Sequence, residues 1–313
     1  MFPPFNSLVY FKYSPYSLSE IFPSFIFFTR EARRFSKYLR FSVSISFSAA
    51  SPLIPSLERR LFPRAIICIP PISFICCQRL SSASGSSPLS SANTMFCIPG
   101  YFLVEESSPT SAGNMEWFIR NLMSYEKAEA KEKGGSVYDI TNEWVASIEP
   151  QDNNVIFLPF LNGSNEDPIA KGTFIGLSAY HSKKHMLRAV YEGIVFSHLT
   201  HVKKLLRNRE VPKSIRLSGG AANSDVWVQI FADALQIPID VIEDKELGAQ
   251  GAAIAAGIAA GVYADYEEGI RRTVKITKTV QPRPEYGPVY EKKYQTYRRV
   301  IEGLSSVWEC FEN

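Results

Sequence analysis

Downstream of residue 95 the apolar positions fall into two alternating periods. Tyr101-Phe102-Leu103-Val104 is a short continuous apolar run and predicts a strand. Behind the turn and cap residues Ser108-Pro109-Thr110, Met115, Phe118, Ile119 and Leu122 recur at helical spacing. Glu126 to Lys133 is charged and solvated and stops at Gly134-Gly135; Ser136 then opens a short helix toward Trp144. Val155 to Leu158, closed by Pro159 and the Asn162-Gly163 turn, predicts a buried strand, and Phe174 to Leu177 a second. Lys183 to Asn208 is the longest helical pattern, its stripe formed by Leu187, Val190, Ile194, Leu199, Val202 and Leu206. There follow a strand at Ile215 to Leu217, a Gly219-Gly220 turn and a helix from Ser224 to Leu235. A strand at Ile239 to Val241 and a small-residue helix from Gly248 to Ala260 complete the series. Strands alternating with helices at this spacing predict an α/β unit with helices covering a sheet. After Pro284, Tyr286, Tyr290, Tyr294 and Tyr297 sit at helical intervals, the mark of a helix docked on its own domain.

Residues 1–94 have a different texture. They contain no aspartate, a single glycine (Gly85), and dense Ser, Phe and Pro, so the turn chemistry that separates elements is nearly missing and no fold follows. Ten basic residues stand there against three acidic ones, a charge of +7, while the remainder carries −4. Three readings compete for this stretch: a transit peptide, Ser- and Arg-rich and poor in acids; an amphipathic anchor, which the prolines spoil; and translation of a wrong frame or of unrelated upstream DNA. The division expected is therefore a non-homologous segment at 1–94 and an organised domain at 95–313.

Across all 313 residues, 45% are hydrophobic and 21% charged, which excludes collagen-like, coiled-coil and wholly disordered chains. Cys68, Cys76, Cys77, Cys97 and Cys310 form no CxxC pair or regular spacing, so neither a disulfide framework nor a zinc site is expected, and a reducing, cytoplasmic setting fits. Pro23, Arg30, Pro52, Arg64 and Pro70-Pro71 interrupt every apolar stretch that approaches spanning length, so no membrane span is expected. The tyrosine stripe lacks the positive charge of a nucleic-acid surface.

Chemistry concentrates at Ser218-Gly219-Gly220-Ala221-Ala222-Asn223-Ser224, between a predicted strand and a predicted helix. Without Cβ atoms the backbone turns sharply and a flat ligand approaches closely, and the following helix N-terminus offers free N–H groups. His181/His185 and His198/His201 have spacings that place two rings on one helical face, but no third ligand is near. They read as exposed or capping histidines, and no metal site is expected. Asp225, Asp233, Asp240, Glu243, Asp244 and Glu246 read as capping and solubilising carboxylates, and Trp227 and Phe231 as core.

The stretch Gly172-Thr173-Phe174-Ile175-Gly176-Leu177, then seven residues, then His185-Met186-Leu187-Arg188-Ala189-Val190-Tyr191-Glu192, resembles the C-terminal signature of the FGGY carbohydrate kinases. Ile215 to Trp227 is similar to that family's adenosine motif, and Gly248-Ala249-Gln250-Gly251-Ala252-Ala253 to the segment beyond it. Glu105 to Asn114 and Phe157 to Gly163 look most like xylulose and L-xylulose kinases. The resemblance implies the C-terminal lobe of an actin-like ATPase (ribonuclease H-like) fold in an ATP:sugar phosphotransferase that uses ATP with Mg2+. Its partners would be a sugar and ATP, with a homodimer left open and no nucleic acid or membrane span. It implies Gly219, Gly220, Ala221 and Ser224 at the adenosine, Ala221 replacing the third glycine of many members and narrowing the space. Arg188 and Glu192 look like packing residues. The family's DxGT/S phosphate loop, aspartate base and second GT loop are not found: no aspartate precedes Asp139 and no Gly-Thr pair precedes Gly172. Two expectations follow. The first is the nucleotide-binding C-terminal fragment of a ketopentose kinase, inactive alone and without catalytic residues of its own. The second is a non-catalytic nucleotide-binding or interaction protein with a targeting-like N-terminal segment.

Overall fold

The computed structural model describes residues 66–69, 73–79, 92–95, 101–109, 111–207, 209–243 and 246–311. The targeting, anchor and wrong-frame readings of the N-terminal stretch fall almost entirely outside them, as does Asp244. Four strands come first: β1 Ile66–Ile69, β2 Ser73–Arg79, β3 Ala92–Met95 and β4 Tyr101–Ser107. Helices α1 Gly113–Leu122, α2 Ser124–Glu132 and α3 Val137–Ala146 follow, then the two-stranded pair β5 Ile156–Leu158 and β6 Thr173–Ile175, and the long α4 Lys183–Leu206. The second half runs β7 Ile215–Leu217, α5 Asp225–Leu235, β8 Ile239–Ile242, α6 Leu247–Ala259, α7 Tyr266–Thr273, β9 Ile276–Val280 and α8 Gly287–Leu304.

The main sheet has the order β3-β4-β2-β1-β7-β8-β9. Only β1/β7 and β7/β8 are parallel; the other ladders are antiparallel. Three strands thus lie in the stretch for which the sequence predicted no fold, and a boundary at 94/95 falls inside β3. Pairing across the sheet supplies there what local turn chemistry does not. The missed α7 and β9 are short and polar, with too few apolar positions to set a period.

Local chemistry explains several helix starts. Ser136 and Asp139 form a reciprocal capping box at the start of α3, each side chain bonding the other's backbone N–H. Ser224 caps α5 and Asp265 caps α7. The tyrosines behave as expected, Tyr290, Tyr294 and Tyr297 being buried where α8 packs on α4 and β5.

Helix α4 departs from its apparent stripe. Its residues from Leu187 to Val202 are all buried, polar ones included. The polar positions that suggest a solvent face point instead at partners in neighbouring elements. Among the described residues no helix is long and apolar enough to cross a membrane.

Candidate functional site

Strand β7 delivers the chain into a sharp turn. Gly219 has φ 84° and ψ −163°, a conformation closed to residues with a Cβ. Gly220 needs no such freedom, and a Cβ built on it meets nothing within 4 Å. The next residues, Gly220–Asn223, make one 3-10 turn, with Ala222 N–H donating to Gly219 O at 3.0 Å and Ser224 N–H to Ala221 O at 3.2 Å. Ser224 then accepts from Trp227 N–H at 3.2 Å and gives its own proton to Asn142 Oδ1 at 2.6 Å. Trp227 is anchored below: its ring lies 4.3 Å from that of Tyr191, and its Nε1–H donates to Tyr191 O at 3.3 Å. Gly219, Gly220, Ala221 and Ser224 therefore share one turn founded on Trp227, open to solvent at Gly220 and buried at Ser224.

Helix α3 supplies what the sequence reading missed. Asn142 reaches Ser224 across 82 residues of chain, and Tyr138, one turn earlier on the same helix, donates its hydroxyl to Glu116 of α1 at 2.6 Å. That bond, with partial burial, holds the Tyr138 phenol up at about 12. Nothing in the spacing of Glu116, Tyr138 and Asn142 marks them, because only the packing of α1 and α3 joins them.

The remaining candidates are structural. Arg188 and Glu192 form a buried pair at 2.9 Å, as expected of packing residues. His181 and His185 are indeed capping groups, their Nδ1 atoms accepting from Ser178 N–H and Ser182 N–H. His198 and His201 are not exposed or capping: both are buried, on Ser111 Oγ at 2.7 Å and Ser108 Oγ at 2.5 Å, with His201 Nδ1 3.3 Å from Glu106. The solubilising reading also fails for two acids. Asp233 is fully buried against Arg283 at 2.7 Å, and Asp240 is buried between Ser214 and Thr279, because both face strands or loops that offer donors. Asp225 is exposed. Among the described residues no group of three or more His, Cys, Asp or Glu is placed to hold a metal ion.

The buried imidazoles carry a pH consequence. Burial, aided by a neighbouring positive charge or ring, depresses His198 to about 3 and His201 to about 4. An unfolded histidine takes up its proton near 6.5, so their contribution to stability is complete above that pH and is lost as pH falls toward 4 and 3. Each costs about 1.4 kcal/mol per pH unit across its window. Burial raises Glu106, which offsets part of this. Thermal melts should therefore fall steeply between pH 6.5 and 4; a flat melting temperature over that range would contradict neutral buried rings.

The family model described as "FGGY family of carbohydrate kinases, C-terminal domain" matches residues 80–260. This chain belongs to the FGGY family of carbohydrate kinases. Among FGGY relatives, the L-xylulose/3-keto-L-gulonate kinase of Escherichia coli (strain K12) is 38% identical over 205 residues, covering 66% of this chain and 39% of that protein. A xylulose kinase of Staphylococcus epidermidis is 32% identical over 160 residues, covering 50% of this chain and 32% of that one. The chain thus spans about two fifths or less of the length of these relatives. Crystallographic xylulose kinase from Lactobacillus acidophilus superposes with a TM-score of 0.67 at 22% identity, over 80% of this chain and 49% of that one. The fold is accordingly the C-terminal lobe of the FGGY sugar kinases, an actin-like ATPase fold, as the two signature motifs imply.

Proposed function

We propose that this chain is the nucleotide-binding lobe, residues 95–313, of an ATP-dependent sugar kinase that phosphorylates a ketopentose of the xylulose or L-xylulose type. The observation that carries the reading is the Gly219 turn: a Cβ-free approach at Gly219 and Gly220, backed by Ala221 and closed by the Ser224 cap. These four residues take the adenosine. The turn fits a nucleotide because its open side admits a flat ring and its backbone is already fixed by Trp227 and Tyr191. ATP, when bound, supplies the γ-phosphoryl group, and its transfer to a sugar hydroxyl forms a new P–O bond as the bond to ADP breaks. Phosphoryl transfer also needs phosphate-gripping loops, metal carboxylates and a base. Among the described residues no such set meets at the turn, and no Mg2+ ligand or catalytic residue is assigned. Sugar and ATP are the partners of the reading, and a homodimer is compatible with it.

The test is a calorimetric titration of the 313-residue chain with ADP, paired with an assay for L-xylulose and xylulose phosphorylation. Saturable ADP binding without turnover is expected. Gly220→Arg should abolish binding while leaving the melting temperature in place, since a side chain there enters open space. A folded chain that takes up no ADP, or one in which Gly220→Arg binds as well as the parent, overturns the assignment.

A further inference from the structure

The end of β4 and helix α4 bring together a serine, a histidine and a glutamate that have no part in the nucleotide reading. Ser108 directly follows β4 and is half-buried, and its Oγ lies 2.5 Å from His201 Nε2. On the other side of the ring, His201 Nδ1 lies 3.3 Å from Glu106 Oε2, with both ring and carboxylate buried. An ionised carboxylate only accepts, so Nδ1 carries the ring proton and Nε2 turns its lone pair to the Ser108 hydroxyl. Ser197 Oγ, 3.3 Å from Ser108 Oγ, holds that hydroxyl from a second side. Lys204 Nζ, 4.0 Å from Glu106 Oε2, favours the charged carboxylate against the burial that raises it. Burial also keeps the His201 ring neutral near pH 7, and so free to accept a proton. Support of the fold does not account for the whole arrangement. Glu106 Oε1 is buried with no hydrogen-bond partner, a cost that calls for a task beyond packing.

We propose that Ser108, His201 and Glu106 form a nucleophilic site that hydrolyses small activated esters, an activity separate from phosphoryl transfer. Ser108 Oγ attacks the ester carbonyl carbon while its proton passes to His201 Nε2. The bond from that carbon to the alcohol oxygen breaks, and the oxygen leaves with the proton from His201. Water then attacks the acyl-serine by the same route, which releases the carboxylic acid and restores Ser108. Ser108 and His201 are the catalytic residues; Glu106 is a positioning residue that fixes the tautomer and tilt of the ring. The substrate class is an ester of a short acyl group, since a half-buried hydroxyl admits little more.

The experiment uses the 313-residue chain with p-nitrophenyl acetate as substrate and a fluorophosphonate as covalent probe. Hydrolysis above the buffer rate is expected, with a probe adduct on the peptide that holds Ser108. Ser108→Ala should abolish the adduct and lower hydrolysis about a hundredfold or to the buffer rate, the scale of a lost nucleophile and base. Ser111→Ala is the control: that serine lies on the same loop but bonds His198, and its loss should change neither reading. Glu106→Gln should lower kcat at least about tenfold with KM unchanged, a split that general loosening of the fold would not give. Melting temperatures show that each variant is folded, and if Glu106→Gln does not fold, Ser108→Ala decides alone. A folded chain with neither hydrolysis nor adduct overturns the proposal. So does an adduct that survives in Ser108→Ala, or a folded Glu106→Gln variant that keeps the parent's kcat.

Discussion

Glu192→Ala is expected to destabilise the chain by about 3–5 kcal/mol, the usual penalty for stripping one partner from a buried ion pair. The carboxylate is 1% exposed and serves two cations at once: Oε1 accepts from Arg188 Nε at 2.9 Å, and Oε2 meets Lys293 Nζ. Arg188 is further engaged by the carbonyls of Val145 at 2.7 Å and Ile148 and by Tyr290 Oη at 3.1 Å. Lys293 Nζ also donates to Pro150 O at 3.0 Å. These neutral acceptors cannot compensate two positive charges in a low-dielectric interior, and burial already pulls Lys293 below the ordinary lysine range. Glu166, which bridges Lys204 and Arg298 nearer the surface, is the control: its alanine variant should lose about 1 kcal/mol or less. Urea unfolding midpoints measure both. A Glu192 variant no weaker than the Glu166 variant would mean that the two cations have another counterion or reach water.

Gly193→Ala should destabilise by about 1–3 kcal/mol, against the sign that helix propensity alone predicts. Gly193 stands mid-way along α4 where the helix presses on β5. A Cβ would sit on the Phe157 carbonyl oxygen, far inside van der Waals separation, and 3.3 Å from Phe157 Cβ. Neither atom is the loose end of a side chain. β5 would have to withdraw, disturbing its ladder to β6 and the Phe157–Phe174 ring contact at 4.5 Å. Gly251→Ala on α6 is the contrasting case. A Cβ there meets nothing within 4 Å, so the substitution should gain up to about 1 kcal/mol. Chemical unfolding of the two variants side by side should give opposite shifts in midpoint, and parallel shifts would refute the close approach of α4 and β5.

The elements that the sequence made legible are those whose signal is local. The run Ile215 to Leu217, the cap at Ser224 and the apolar spacing of α5 all lie within one window, and each element forms where its pattern ends. The Gly219 turn was legible for the same reason, since a glycine pair between a strand and a helix carries its own geometry. Asn142 and Tyr138 were not, because an asparagine and a tyrosine on an amphipathic helix look the same whether they face water or a distant partner, Ser224 for the one and Glu116 for the other. The stripe on α4 misled in the opposite direction. His198 and His201 read as exposed or capping positions, and only the neighbours that satisfy them, Ser111, Ser108 and Glu106, turn that face into an interior one. Strands β1 to β3 escaped notice because pairing partners, not local turn residues, define them.

The enclosure of α4 has a mechanical consequence. A helix with one free face can slide or roll a little against its support, exchanging one set of contacts for another. Helix α4 has no such freedom: β5, α3, α5 and α8 grip it from different sides, and the Arg188–Glu192–Lys293 cluster pins it to α8. The Trp227 anchor beneath the glycine turn is tied to Tyr191 of this same helix. Any displacement imposed at the turn is therefore passed to α4 and the elements that grip it together, so that they shift as one stiff group.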